Sequence, residues 1–221
     1  EGERLLAERL LRDGLTIDAD RLVEARLQSQ RLAFRALSIA GAGEVRLADI
    51  VAAQLRMLGL PPHFVADRIA IEVTIEKRSL LANHPLADAL RRLRTTGRRI
   101  VAVSDTTLPA AAVEELIATF HGPGLVDRVW SSADERRTKR AGDLFLHVAE
   151  QERMRRSEIL HIGDDPTADV RVPSELGIAV HPVRRDGLRP LLSKADGAMA
   201  ELARRRRGRV RISGAGPLPA G

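Results

Sequence analysis

The chain has 221 residues, 44% of them hydrophobic and 2% aromatic, which is enough for one core domain plus a subdomain built on Leu, Val, Ile and Ala. It contains no cysteine, which excludes disulfides, thiolate metal sites and a cysteine nucleophile. The lack of cysteine fits a reducing cytoplasm, which is where we expect the protein. The sequence also shows neither a membrane-spanning apolar run nor a signal-peptide pattern.

The formal net charge of +6 resides in one short segment. Six arginines lie between residues 204 and 211, and no acid follows them, so the remainder of the chain is neutral overall. Charge runs of this kind are usually solvated. Clustered arginines can contact phosphates, but no aromatic residues accompany them for base stacking, so we do not expect nucleic-acid binding.

The first eighty or so residues predict amphipathic helices and no strand. The helices cover residues 3–12, Asp18 to about Leu37, 47–58 and about Pro62 to Leu81. Asp18 has a side chain and a position typical of a helix N-cap. The sequence therefore predicts a helical subdomain over residues 1–84.

The pattern changes at Asn83-His84-Pro85, which we interpret as a hinge. From residue 85 to residue 187, helices alternate with short apolar strands. The predicted strands cover 100–105, 128–132, 159–164 and 178–183, and the predicted helices cover 86–95, 109–120, 141–153 and, interrupted by Pro173, 168–176. This alternation indicates βαβ units and a parallel sheet. Residues 188–206 predict a last helix within a C-terminal region, 188–221, that ends in a basic and disordered tail.

Acidic residues follow the apolar strand at 159–164. Gly163 lets the chain turn, Asp164 and Asp165 come next, and Asp169 lies four residues further on. Ligands of open α/β sheets bind where the strands end, and one or two carboxylates are the usual protein ligands of Mg²⁺. We therefore predict a metal site at these three aspartates, with an ordinary Asp-rich turn as the alternative.

Two further sets of polar residues are expected at the same edge of the sheet, and both could bind phosphate. Ser104 and Asp105 end the strand at 100–105, where a hydroxyl and a backbone N–H can bind phosphate oxygens, although a helix cap would look the same. Lys139 precedes the helix at 141–153 and can neutralise a phosphoryl group, although a lysine in a basic run is more often solvated. In a doubly wound sheet all of these groups can converge.

In this order, the residues resemble the motifs of the haloacid-dehalogenase-like (HAD) phosphohydrolase superfamily. Ser104 in VAVSD matches the second motif, Lys139 in RRTKRAGDLF the third, and Asp164 and Asp169 in GDDPTAD the fourth. The resemblance covers residues 3–186 and implies a Rossmann-like α/β core with a parallel sheet and an N-terminal all-α cap. A narrower similarity, through SD, LP and the K-x-x-G-x-LF helix, is to HAD-type domains associated with bacterial polysaccharide biosynthesis.

The resemblance also implies a Mg²⁺-dependent phosphatase that acts on a small phosphorylated metabolite. Asp164 would bind the metal, Asp169 would support the metal site, and Asp165 would add a ligand or only turn the chain. Ser104 would bind phosphoryl oxygens and Lys139 would balance the charge. The cap would exclude water, and no feature indicates an oligomeric state.

The first motif of the family, a strand that ends in Asp-x-Asp and carries the nucleophile, is not evident. The only Asp-x-Asp, Asp18-Ala19-Asp20, precedes a helical pattern. The family places this strand at the centre of the sheet, and its removal would leave backbone groups unpaired, so we expect it upstream of Glu1. The alternative function is a non-catalytic HAD-like binding or regulatory module.

Overall fold

The computed structural model describes residues 1–41 and 43–183, so the predicted helix at 188–206 and the arginine-rich tail lie outside the described residues. The N-terminal part is a helical block of four helices. They are α1 (Gly2–Arg12), α2 (Ala19–Ala40), α3 (Leu47–Met57) and α4 (Phe64–Ser79). All four were predicted, with ends displaced by a few residues. None of the helices in the described ranges is long and apolar enough to cross a membrane.

Asp18 caps α2, as its position in the sequence predicts. Its carboxylate accepts a hydrogen bond of 3.0 Å from the backbone N–H of Asp20, and its own backbone is extended. This arrangement satisfies one of the unpaired N–H groups at the helix start. The Asp-x-Asp sequence is thus the beginning of a helix and not the end of a strand.

The second part alternates helices and strands, as predicted. The elements are α5 (His84–Thr95), β1 (Val101–Ser104), α6 (Ala110–His121), β2 (Arg128–Ser131), α7 (Ser132–Glu135), α8 (Asp143–Gln151), β3 (Leu160–Gly163), α9 (Val172–Glu175) and β4 (Ala179–Pro182). The short α7 was not predicted. The predicted helix at 168–176 is instead a π-helical turn, Pro166–Arg171, followed by α9.

The four strands form two separate pairs. In the first pair β1 runs parallel to β2, with Val101 opposite Arg128 and Ser104 opposite Ser131. In the second pair β3 runs parallel to β4, with Leu160 opposite Ala179. Within the described ranges no ladder joins the two pairs, so each strand has one edge without a strand partner.

Helix α8 packs against both pairs of strands. Leu144 and Val148 contact Trp130 of β2 and the partly buried valines of β1. The next residue along the helix, Phe145, packs against Val172 and Ile178 next to the second pair. The apolar faces of α8 therefore hold the two pairs side by side without hydrogen bonds between their strands.

The helical block shares its hydrophobic core with α6. Buried residues from all four helices of the block form one cluster with residues of α6 and the turn before it. The cluster includes Leu6, Leu10, Leu22, Leu47, Val51, Leu55, Phe64, Val73, Leu108, Ala112 and Leu116. This shared core places the block beside the loops that follow the strands.

The packing of α8 can be tested with two of its leucines, one buried and one exposed. Leu144 is 0% exposed and Leu146 is 45% exposed. We expect Leu144→Ala to lower the free energy of unfolding by about 2–5 kcal/mol, because it leaves a cavity between α8 and the first strand pair.

Leu146→Ala is the control on the same helix, and it should change the free energy of unfolding by less than about 0.5 kcal/mol. Urea titrations of both variants measure the difference. Equal effects of the two substitutions would contradict the described packing of α8.

Candidate functional site

The loops after β1 and β3 open into one cavity of about 430 Å³. Its charged lining consists of Glu44, Asp105, Asp164, Asp165 and Asp169, with Lys139 and Arg140 as the cations. Asp105 directly follows β1 and Asp164 directly follows β3, whereas none of the described lining residues directly follows β2 or β4. We infer that β1 and β3 are the inner strands and that the cavity lies where they end, as open α/β sheets favour.

Lys139 connects the two sides of this cavity. Its backbone N–H donates a hydrogen bond of 2.8 Å to the carboxylate of Asp105, which follows β1. Its ammonium group donates to the carboxylate of Asp169, after β3, over 2.6 Å. The lysine side chain is only 13% exposed, so the predicted alternative of a solvated lysine does not apply.

Asp169 is buried and accepts hydrogen bonds on both oxygens. Oδ1 contacts Lys139 and lies 3.0 Å from Nε2 of His161, while Oδ2 accepts from the backbone N–H groups of Asp164 and Asp165. Burial raises the pKa of Asp169, but the hydrogen bonds from His161, Lys139 and the backbone outweigh burial and hold this pKa well below its ordinary value. Asp169 is thus an anion that organises the turn after β3.

Gly163 makes room for the Asp169 side chain. A Cβ atom at this glycine would lie 2.4 Å from Cγ of Asp169, a distance at which one of the two must move. The Gly-Asp-Asp sequence therefore does more than turn the chain. It lets a carboxylate pack directly over the end of β3.

Asp165 is engaged by the π-helical turn that it caps. Its Oδ1 accepts hydrogen bonds of 2.8 and 2.7 Å from the N–H groups of Thr167 and Ala168, and its Oδ2 lies 3.2 Å from the guanidinium of Arg140. The two backbone hydrogen bonds lower the pKa of Asp165 from its ordinary value. The sequence leaves open whether Asp165 adds a metal ligand or only turns the chain. These contacts show that it caps the turn, and its role as a metal ligand stays a prediction.

The three predicted metal ligands, Asp164, Asp165 and Asp169, all line the cavity. Oxygens of Asp165 and Asp169 accept protein hydrogen bonds. Within residues 1–41 and 43–183, no three His, Cys, Asp or Glu side chains are grouped to hold a metal ion by themselves. Mg²⁺ is usually bound by one or two carboxylates, with waters and a substrate phosphate as further ligands, so it does not require a group of three protein ligands.

Ser104 ends β1, as predicted. It is not among the described residues that line the cavity, whereas the next residue, Asp105, is. The last residue of β2, Ser131, and the first residue of α7, Ser132, hold the loop that follows Ser104. The N–H of Thr106 donates to Oγ of Ser132 over 2.8 Å, and Oγ of Ser131 donates to the carbonyl of Leu108 over 2.6 Å. The predicted phosphate-binding role of Ser104 stays a prediction.

Two residues of the site carried no assigned role in the sequence analysis. His161 contacts Asp169. It lies two positions before Gly163 and hence on the same face of β3, a periodicity that could have indicated the contact. Glu44 reaches the cavity from the segment between α2 and α3, and no motif surrounds it.

Solved structures share this architecture. A 2-haloacid dehalogenase from Pseudomonas syringae pv. Tomato DC3000 aligns with a TM-score of 0.55 at 14% identity, covering 81% of this chain and 76% of the dehalogenase. The L-2-haloacid dehalogenase from Xanthobacter autotrophicus, with chloropropionic acid covalently bound, aligns with a TM-score of 0.50 at 18% identity, covering 99% and 87% of the two chains. The chain has the haloacid-dehalogenase-like fold.

This fold was predicted from the motifs at Ser104, Lys139 and Asp164, and the structural similarity confirms it. No protein-family model matches the sequence, and no curated protein does so either. In this HAD-like chain the motif residues Lys139, Asp164 and Asp169 lie together, although the identity to the dehalogenases is low.

The Lys139–Asp169 pair can be tested with a double-mutant cycle. We expect Asp169→Asn to lower the free energy of unfolding by about 3 kcal/mol at neutral pH, because it leaves a buried ammonium group without its anion. Combined with Lys139→Met, it should show a coupling energy of at least about 1 kcal/mol in urea titrations.

The exposed pair Arg171–Glu175, at 3.1 Å with both side chains 60% exposed, is the matched control for this cycle. Its coupling energy should stay below about 0.5 kcal/mol, as is usual for surface ion pairs. Similar coupling energies for the two pairs would show that the buried pair does not hold the site together.

Proposed function

We propose that this chain carries the metal and phosphate sites of a Mg²⁺-dependent phosphatase that acts in the cytoplasm on a small phosphorylated metabolite. The observation that supports this most directly is the position of the partly buried Lys139 beside Asp164 and Asp169 at the ends of parallel strands. A cavity of about 430 Å³ is also within the range of small-molecule sites.

Each side chain of the site has a role in this proposal. Asp164 would hold Mg²⁺, and the ion would offset the charge of the carboxylates and of the phosphoryl group. An ammonium group has three N–H donors, so Lys139 can contact a phosphoryl oxygen while it keeps its hydrogen bond to Asp169. Asp105 fixes the backbone of Lys139, so the direction of the lysine is set before a substrate enters.

A phosphatase of this kind also needs a carboxylate nucleophile. The proposal places it on an apolar strand that ends in Asp-x-Asp and lies between β1 and β3, as the family resemblance implies. Three observations support this position: β1 and β3 are not hydrogen-bonded to each other, all four residues of β1 are only half-buried, and α8 packs beneath both pairs of strands. An inner strand with an unpaired edge is costly in a folded protein.

The proposed reaction has two steps. A carboxylate oxygen on the added strand attacks phosphorus, and the bond from phosphorus to the alcohol oxygen breaks. The second carboxyl group of the Asp-x-Asp sequence gives its proton to the leaving oxygen and then accepts a proton from water. The water oxygen attacks the acyl phosphate, which releases inorganic phosphate and restores the nucleophile.

The charge of the cavity favours this reaction over dehalogenation. Both solved relatives described above are 2-haloacid dehalogenases, whose substrates carry a carboxylate. Five carboxylates and two cations line the described cavity, so an organic acid would be repelled unless a cation entered with it. A Mg²⁺–phosphate pair is attracted by the same arrangement. The similarity to polysaccharide-associated HAD domains stays a prediction about the metabolic setting.

Release of inorganic phosphate tests the proposal. We expect the full product of the gene to hydrolyse at least one member of a panel of sugar and nucleotide phosphates, with activity lost on addition of a chelator and restored by Mg²⁺. Asp164→Asn should lower kcat/KM about 100-fold or more, because several kcal/mol of metal-assisted charge stabilisation are lost.

Glu150→Gln removes an exposed carboxylate of α8 that does not line the cavity, and it should leave kcat/KM unchanged. If the gene product folds and binds Mg²⁺ and phosphate but releases none from any ester, the chain is better explained as a non-catalytic binding or regulatory module.

A further inference from the structure

Glu44 is the residue through which the helical block reaches the cavity, among the residues that the structure describes. It lies between α2 and α3, and two residues that follow it, Arg46 and Leu47, are hydrogen-bonded to the α/β part. Arg46 donates hydrogen bonds to the carbonyl groups of Ala133 and Asp134 over 2.7 and 2.9 Å, and the N–H of Leu47 donates to the carbonyl of Thr107 over 2.8 Å. Glu44 therefore reaches the site from a backbone segment that is hydrogen-bonded to the α/β part.

The carboxylate of Glu44 is itself held in place. Oε1 accepts the N–H of Val45 over 2.8 Å, and Oε2 accepts the hydroxyl of Ser132 over 3.1 Å. Ser132 also accepts the N–H of Thr106, so Glu44 is attached to the loops after β1 and β2. Asp164 and Asp165 follow β3 instead, and the two groups of acids enter the cavity from different elements.

The local charge limits what Glu44 can contact. A carboxylate with two protein hydrogen bonds still has acceptor positions but no donor. The only cations in the described lining are Lys139 and Arg140, and they contact Asp169 and Asp165. A second anion on a substrate would therefore meet Glu44 without a neutralising partner, whereas a hydroxyl or ammonium group would meet a fixed acceptor.

We propose that Glu44 selects the alcohol part of the substrate: it favours phosphate esters of amino alcohols and polyols and rejects esters that carry a second anion. This inference rests on the proposed function in that the cavity takes a phosphate ester. It goes further by naming the class of ester and the residue that distinguishes it. In this proposal the helical block determines which alcohol part is accepted, through the side chain of Glu44.

Ligand binding to the full 221-residue chain tests this inference and does not require hydrolysis of the ligand. Isothermal titration calorimetry in the presence of Mg²⁺ would compare phosphoethanolamine, which carries an ammonium group, with 3-phosphoglycerate, which carries a carboxylate. We expect phosphoethanolamine to bind at least about 10-fold more tightly than 3-phosphoglycerate. A like charge placed against Glu44 at a desolvated contact raises the dissociation constant by more than about 10-fold.

Glu44→Gln keeps hydrogen-bonding atoms for Ser132 and removes the charge, so it should reduce the ratio of the two dissociation constants at least about 5-fold. Glu44→Asp keeps the charge and should retain the direction of the preference. The matched control is Asp49→Asn, which removes an exposed carboxylate of α3 that does not line the cavity, and it should leave the ratio unchanged.

A ratio that stays within about 2-fold of the wild-type value in Glu44→Gln, or a wild-type chain that does not bind phosphoethanolamine, would overturn the inference. The failure of this inference can be distinguished from the failure of the proposed function. If the ligands bind in the expected order but the full gene product shows no phosphatase activity, the role of Glu44 in binding stands and the proposed catalysis is wrong.

Discussion

The two hydrogen bonds of Lys139 are the constraint on which the site depends. Its backbone N–H is tied to Asp105 at the end of β1, and its ammonium group to Asp169 after β3. The two strand pairs lack a hydrogen-bonded ladder between them, so this one residue joins their ends at the cavity. The turn after β3 depends in turn on Gly163, since a side chain there would displace Asp169 and with it the anion that holds the lysine.

The same arrangement explains why the helical block matters for the site. Its core is continuous with α6, and a second connection runs through Arg46 to the carbonyl groups after β2. These contacts deliver Glu44 to the cavity rather than leaving the block as a separate helical bundle. In the proposals, specificity depends on this segment, while the residues for metal and phosphate belong to the loops after β1 and β3.

Local patterns in the sequence were sufficient to predict most of the elements. The apolar strands, the capping role of Asp18 and the convergence of Lys139 with the acids after β3 all follow from short stretches of sequence and from the geometry of parallel sheets. The motif resemblance also predicted the fold. In contrast, the α-helical pattern at 168–176 missed the π-helical turn, because the cap at Asp165 and the packing of Asp169 determine the backbone there.

The residues that escaped prediction depend on contacts between distant parts of the chain. Glu44 reaches the cavity through a hydrogen bond to Ser132, 88 positions away. His161 approaches Asp169 only because the chain turns back over Gly163. The same turn gives Asp165 and Asp169 backbone hydrogen-bond donors, and in the proposal Asp164 is the main protein ligand of the metal.

The central claim is that Mg²⁺ and a phosphate group bind together between Asp164 and Lys139. A crystal structure of the chain grown with Mg²⁺ and tungstate, a phosphate analogue that is located by its anomalous scattering, tests it most directly. We expect one tungstate within hydrogen-bonding distance of Nζ of Lys139 and a metal ion bound by Asp164. Tungstate bound elsewhere, with the cavity holding neither ion at saturating concentrations, would contradict it.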